Sequence, residues 1–255
     1  MSTPTSSKRP RQKRPIVRRV SGEQEAKARR TALPLVYAIC GLVVAIGLIA
    51  VTVRYRNGTA TTASNVPVTQ AVRPLTVPAG QTPEGYWYKG RAEAPVTVIE
   101  FADYQCPSCA AAFAQLEPGI DKDYVNTGKI KFVFHDFPLA MHSNAAPTAA
   151  AARCAGDQGK YWSMHDLLYA RQGEWAEDTD VTTRLKTYAG DLHLDTTAFG
   201  QCVDNGKYTQ AIQEAITDST RQGINATPTY SVDGKKVDAG GLRAAIDAAV
   251  TAKGR

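Results

Sequence analysis

The sequence predicts an α/β domain in which a β-α-β unit is followed by a block of helices, a β-hairpin and a closing helix, with one apolar segment of membrane-spanning length ahead of it. Three observations carry this. Val96-Thr97-Val98-Ile99-Glu100-Phe101 and Lys129-Ile130-Lys131-Phe132-Val133-Phe134-His135 are short runs rich in β-branched and aromatic residues, which suit strands. Between them Cys109, Phe113, Leu116, Ile120 and Tyr124 recur at spacings of four, three, four and four, which is one face of a helix. Asp233-Gly234 stands between the strand-like Thr229-Tyr230-Ser231-Val232 and Lys236-Val237-Asp238, and is a hairpin-turn pair. A helical crossover joins parallel strands, so the first two strands should run in the same direction.

The elements follow in order. Residues 1–30 hold ten Lys/Arg against Glu23 and Glu25 and show no helical or strand period, as in a basic disordered tail. Residues 31–53 carry no charge, and about 20 apolar residues suffice to cross a bilayer. Ten positive charges before this segment and Arg54, Arg56 and Arg73 after it predict an uncleaved single-pass anchor with its N-terminus in the cytoplasm and the rest of the chain outside. Cys40 falls inside the span as an inert filler. Residues 54–84, with scattered Gly, Thr, Pro, Ser and Gln, read as a linker, and residues 85–255 as the folded domain. From residue 74 onward, 17 basic residues face 22 acidic ones, so the net charge of +6 belongs to the tail. That distribution excludes a nucleic-acid-binding face on the domain.

Within the domain, Pro118 should interrupt the first helix and Gly128 end it. Asn144 and Pro147 mark a helix start, and helices should fill about 140–222, in segments running to Cys154, over 161–171, 181–189, 196–204 and 207–222, the last with Ile212 and Ile216 inward. After the hairpin, Leu242–Val250 is amphipathic.

The chemistry concentrates at Cys106-Pro107-Ser108-Cys109, directly after the first strand. Two cysteines two residues apart at a strand-to-helix junction can close an exchangeable disulfide. The helix N-terminus favours negative charge on the first sulfur, and the thiolate is the attacking species in disulfide exchange. Pro107 suits the first helical turn, where a missing N–H costs nothing. Ser108 brings no positive charge, so nothing within the motif itself makes the pair strongly oxidising. A Cys₄ zinc site normally uses two close pairs, whereas Cys154 and Cys202 lie 48 residues apart, so no metal is expected. His135, His142, His165 and His193 are scattered and read as surface or satisfied histidines, with His135 at a strand end as the one worth testing.

Several segments together resemble the DsbA-like branch of the thioredoxin superfamily, and in particular its membrane-anchored extracytoplasmic thiol–disulfide oxidoreductases. They are Ala94–Phe101 leading into the cysteine pair, Phe134-His135-Asp136-Phe137-Pro138-Leu139, Ala151-Ala152-Arg153-Cys154-Ala155, Gln158–Trp162 with Met164-His165-Asp166, and Gly223–Thr229, spread in order over about residues 90–252. The resemblance implies a thioredoxin fold with a helical insertion between its β-α-β and β-hairpin-α halves. It implies Cys106 as the attacking sulfur, Cys109 as the resolving one, Glu100 as a proton relay for Cys109, and a cis peptide bond before Pro228, with the Thr227 backbone accepting an extended substrate. No cofactor is expected. Cys154 and Cys202 most simply form a structural disulfide in an oxidising compartment, worth roughly 4 kcal/mol in the chain-entropy model. The other reading makes them a second redox pair. The expected function is a dithiol oxidase for exported cysteine-containing proteins, re-oxidised by a quinone-linked membrane partner. The alternatives are a reductase or isomerase in a dedicated pathway, or a non-catalytic metal- or peptide-binding module.

Overall fold

The computed structural model describes residues 67–254. The expected tail at 1–30, anchor at 31–53 with Cys40, and first part of the linker lie outside the described residues. Among the described residues no helix is long and apolar enough to cross a membrane.

The β-α-β unit forms as the pattern predicts. Strand β3 (Val96–Ala102) and strand β4 (Ile130–Asp136) are parallel and in register from Val96↔Ile130 to Ala102↔Asp136. Helix α2 (Pro107–Gln115) crosses between them and stops at Leu116. The chain restarts as α3 (Glu117–Ile120), with Pro118 in its first turn, and widens into a π-helical stretch over Asp121–Val125. Pro118 therefore breaks the helix, because its ring cannot follow the preceding turn. The predicted face stays continuous through the break: Cys109, Phe113, Ile120 and Tyr124 are buried and Leu116 is half-buried.

The hairpin is β5 (Thr229–Val232) and β6 (Lys235–Val237). Asp233 and Gly234 have φ of 47° and 82°, the positive values that a tight two-residue hairpin loop requires. Strand β5 pairs antiparallel with β3, and α10 (Leu242–Ala252) buries Leu242, Ile246 and Val250 beneath them. Between the halves stand α4 (Ala145–Gly156), α5 (Tyr161–Ala170), α6 (Gln172–Trp175), α7 (Val181–Asp191), α8 (Thr196–Asp204) and α9 (Thr209–Arg221). Asp180 and Asp195 cap α7 and α8 through their carboxylates. Ile212 is buried and Ile216 half-buried, both on the inner face of α9.

The reading of 54–84 as linker needs correction at its C-terminal end. Helix α1 (Val68–Ala71) and strand β1 (Ala79–Gln81) lie within it, and β1 pairs with β2 (Trp87–Lys89), which pairs with β4. The sheet order is thus β1-β2-β4-β3-β5-β6. Gly90 turns the chain from β2 towards β3 at a φ of 100°, where a side chain would meet the Ile130 carbonyl at 2.6 Å.

This extra edge brings charge into the interior. Lys89 is buried, and its Nζ lies 2.9 Å from Glu117 and 2.8 Å from Asp121. Arg73 bonds Glu117 at 3.0 Å, Asp121 at 3.2 Å and Asp166 at 3.0 Å, with its guanidinium over the Phe113 ring. His165 Nε2 meets the other Glu117 oxygen at 3.3 Å. Burial alone would protonate Glu117, but Lys89, His165 and Arg73 hold it well below the usual carboxylate range. The same pairing holds the Lys89 amine above its usual range against the desolvation that opposes it. Removing one partner of such a cluster strands a buried charge. Lys89→Met is expected to lower stability at neutral pH by about 3–5 kcal/mol in urea unfolding; a loss under about 1 kcal/mol would show that the cluster does not hold the fold.

Candidate active site

Strand β3 ends beside β4, and the chain leaves the sheet in a turn. Phe137 N–H donates to the Ala102 carbonyl at 2.8 Å, Cys106 N–H to the Asp103 carbonyl at 3.1 Å, and Gln105 N–H to Asp103 Oδ1 at 2.7 Å. Cys106 is the residue just before α2, in extended conformation, and Pro107 opens the helix. The insertion clamps this turn from outside. Gln172 Nε2, at the start of α6, donates to the Tyr104 carbonyl at 2.7 Å and to the Cys106 carbonyl at 3.0 Å. Asp103 also accepts from Leu139 N–H and contacts His142 Nδ1 at 2.7 Å, which binds the loop after β4 to the same turn.

The facing wall comes from the second half of the fold. The Thr227–Pro228 peptide bond is cis and leads straight into β5, which is locked to β3 at Phe101↔Thr229. This places the Thr227 carbonyl 3.5 Å from Cys106 Sγ, which donates to it only in its thiol form. A groove of about 560 Å³ runs beside the pair, between Ser108, Ala111 and Ala112 of α2, Thr227 and Pro228, and the loop Asp238–Gly240.

The two sulfurs occupy different environments. Cys106 is 7% exposed and Cys109 wholly buried, and both are free thiols. Hydrogen bonding from the Cys109 thiol, against the opposing desolvation, and then Thr227 and the first-turn N–H groups of Cys109 and Ser108, pull Cys106 down to about 5. The pull therefore comes chiefly from the Cys109 thiol, with help from Thr227 and main-chain N–H groups, and not from any charged side chain in the motif. Burial, the bond to Cys106 and the nearby Glu100 push the Cys109 thiol far up. Glu100 is buried on β3, and Tyr230 from β5 donates to its Oε1 at 3.0 Å, while its Oε2 has no protein partner. Desolvation and the ionised Glu117 raise Glu100 to about 8, outweighing the Tyr230 bond, so at neutral pH it mostly keeps its proton.

Of the residues singled out in the sequence, Glu100, Cys106, Pro107, Ser108, Cys109, Thr227 and Pro228 come together in this one place. Cys154 and Cys202 do not join it. They are bonded to each other with a Cα–Cα distance of 5.9 Å and tie α4 to α8. That bond takes both sulfurs away from a Cys₄ zinc site. His135 is buried too, stacked on Tyr86 at 3.9 Å and within 3.3 Å of Ser219 Oγ. Desolvation lowers its pKa, so it is a packed neutral ring. Sequence reasoning missed Asp103, Tyr104, Gln172 and Tyr230. The first two adjoin the cysteine motif, which was a usable signal; Gln172 and Tyr230 had none.

The Cys106 shift has a definite linkage consequence. Its folded-state pKa is depressed, so its stabilisation of the reduced chain is fully present above the unfolded thiol value of about 8.5 and is lost as pH falls through about 5. Cys109, raised, adds no slope below the unfolded thiol value. Glu100 runs the other way, its stabilisation being lost as pH rises from the unfolded carboxylate range through about 8, but it is present in the Cys106→Ser chain as well. The expected outcome is that the reduced chain gains stability over reduced Cys106→Ser steadily between pH 5 and 8.5 in urea titrations. A difference that stays flat across that window would contradict a depressed Cys106.

Residues 81–250 match the family described as Thioredoxin. The chain is 34% identical over 185 residues to a protein named Na(+)/H(+) antiporter NhaA 1 of Salinispora arenicola, aligning over 72% of its own length but spanning only 27% of that relative. It is 31% identical over 156 residues to Disulfide bond formation protein D of Bacillus subtilis, covering 58% of this chain and 68% of that one. Among solved structures, oxidised BdbD of Bacillus subtilis superposes with a TM-score of 0.61 at 24% identity, covering 69% of this chain and 98% of that one. The cysteine pair at a helix N-terminus, the facing cis-proline and these similarities agree, and the chain belongs to the thioredoxin family, among the DsbA-like thiol–disulfide oxidoreductases.

Proposed function

We propose that the domain is a dithiol oxidase that introduces disulfides into exported proteins on the outer side of a membrane. The observation that carries this reading is the placement of Cys106 Sγ at the N-terminus of α2, 3.5 Å from the Thr227 carbonyl beside a cis-proline. A substrate segment lying along Thr227 would pair with the backbone in strand fashion and bring its own sulfur to Cys106. The substrate thiolate attacks Cys106 Sγ of the oxidised pair. The Cys106–Cys109 bond breaks, its electron pair leaves on Cys109, and Cys109 takes a proton from Glu100. A second substrate thiolate then attacks the substrate sulfur of the mixed disulfide. The substrate leaves oxidised and Cys106 is released as the low-pKa thiolate. The two electrons pass on to a re-oxidising partner, for which a quinone-linked membrane enzyme is the reading the resemblance supports. The uncharged run at 31–53, with basic residues concentrated before it, supports a membrane anchor and an extracytoplasmic domain. The Cys154–Cys202 bond suits an oxidising compartment as a structural staple of the insertion.

The thiolate supports the oxidising direction of exchange. Stabilising the Cys106 thiolate stabilises the reduced pair and makes the disulfide a better oxidant. A Cys106 value of about 5 lies about two units below the thioredoxin nucleophile, worth about 60 mV, so a potential of about −210 mV is expected against about −270 mV for thioredoxin. Equilibration with glutathione measures it; a value at or below that of thioredoxin would favour the reductase alternative. Replacing Cys109 with Ala should accumulate mixed disulfides at Cys106 with cysteine-containing proteins, visible on non-reducing gels and absent when Cys106 is Ser as well. Undiminished oxidative folding activity in the Cys106→Ser, Cys109→Ser chain would contradict the role given to these two sulfurs.

A further inference from the structure

The exchange steps above place negative charge on a sulfur that is wholly buried. Cys109 must carry it whenever it leaves from, or attacks, a disulfide, and a buried thiolate without hydrogen bonds is costly. Strand-derived groups supply part of the answer: the Asp103 backbone N–H lowers the energy of the Cys109 thiolate, and Glu100 holds the proton. A third buried polar group lies in the same interior, on the helical insertion.

Tyr169, on α5, is 4% exposed, and its hydroxyl has no hydrogen-bond partner in the protein. Its ring packs against one residue of α2 and one of the active-site turn. It stacks on Phe113 at 5.2 Å and meets the Tyr104 ring at a tilt, 4.9 Å between centroids. Phe113 lies one helical turn beyond Cys109 on the same face of α2, and Tyr104 lies two residues before Cys106. Burial raises the pKa of the phenol well above its usual value, and charge on Cys109 and then on Glu100 raises it further. Glu100 Oε2 is likewise buried and without a protein partner. The Tyr169 hydroxyl and Glu100 Oε2, both buried and unpaired in the protein, thus lie within electrostatic reach of the sulfur whose charge changes during exchange. A buried hydroxyl bonded to nothing in the resting protein contributes nothing to stability there; its use lies in a state where charge appears beside it.

We infer that the Tyr169 hydroxyl donates a hydrogen bond to the Cys109 sulfur in the exchange step that makes that sulfur negative. This rests on the exchange reading given under Proposed function and adds a catalytic group to it. In the oxidising direction the substrate sulfur bonds Cys106, the Cys106–Cys109 bond breaks, and the pair of electrons arrives on Cys109 Sγ. Tyr169 stabilises that charge as it forms, and Glu100 then delivers its proton, leaving Cys109 a thiol and Glu100 a carboxylate. Running the step backwards, Glu100 takes the proton from Cys109, Tyr169 again holds the thiolate, and Cys109 displaces the substrate sulfur from Cys106.

Tyr169→Phe in the full chain tests this, because it deletes the hydroxyl and keeps the stacked ring. The expected result is that reduction of the oxidised pair by dithiothreitol slows about 100- to 1,000-fold, the range for losing a donor aimed at developing charge, while melting temperature is unchanged or higher and Cys106 alkylation by iodoacetamide in the reduced chain is unchanged. In a Cys109→Ala background the same substitution should have no effect on attack of Cys106 on an aromatic disulfide reagent, since Cys109 takes no part. Wild-type rates of reduction in Tyr169→Phe would overturn the inference. So would a Tyr169→Phe chain that fails to fold, because the hydroxyl would then be holding the resting structure. Loss of the exchange reading itself would look different: the Cys106→Ser chain would retain exchange activity.

Discussion

Everything in this molecule depends on one asymmetry across a single helical turn. Cys106 and Cys109 differ by three positions, yet one sulfur is held as an anion and the other as a thiol. The buried thiol donates to the partly accessible sulfur, so each favours the charge state of the other. No charged side chain stands between them; the motif offers only Pro107 and Ser108. The effect comes from backbone N–H groups, from Thr227 across the cis-proline, and from the depth at which Cys109 is packed. Such an arrangement needs three rigid supports at once. Pairing of β3 with β5 fixes Thr227, α2 fixes the cysteines, and Gln172 from the insertion fixes the turn between them.

The interior also carries a cluster of charges. Lys89, Arg73, Glu117, Asp121 and Asp166 satisfy one another, and His165 links Glu117 to Tyr104, just ahead of Cys106. The physical consequence reaches the sulfurs. Ionised Glu117 helps keep Glu100 protonated, and Glu100 acts on Cys109. The short N-terminal elements therefore do more than extend the sheet. Arg73 and Lys89 bring the cations that let Glu117 stay charged in the core, and so set the protonation of a residue under the active site.

The fold and the reacting sulfurs were legible in the sequence because they rest on local signals. The alternating run at 96–101, the four-three-four-four face from Cys109 to Tyr124, Pro118 and Asp233-Gly234 each act within one or two turns of chain. Glu100 and Pro228 could be placed because a resemblance supplied their roles, not because composition did. Other features left no local trace. Strands of three residues such as Ala79–Gln81 are too short to show a period, and their Gly, Thr and Pro neighbours look like linker. Nothing in the sequence marks Lys89 and Arg73 as interior charges, since a buried cation becomes visible only when its carboxylates, up to 93 residues away, are in view. Gln172 and Tyr230 reach the site through tertiary pairing alone.

The central claim is that the fold holds Cys106 as a thiolate at neutral pH while Cys109 stays protonated. The most direct measurement is the thiolate absorbance at 240 nm of the reduced chain, titrated from pH 3 to pH 9 with the Cys106→Ser chain as reference. The account predicts one sulfur titrating with a midpoint near 5, absent from the reference. A midpoint near the ordinary thiol value of about 8.5 would contradict it.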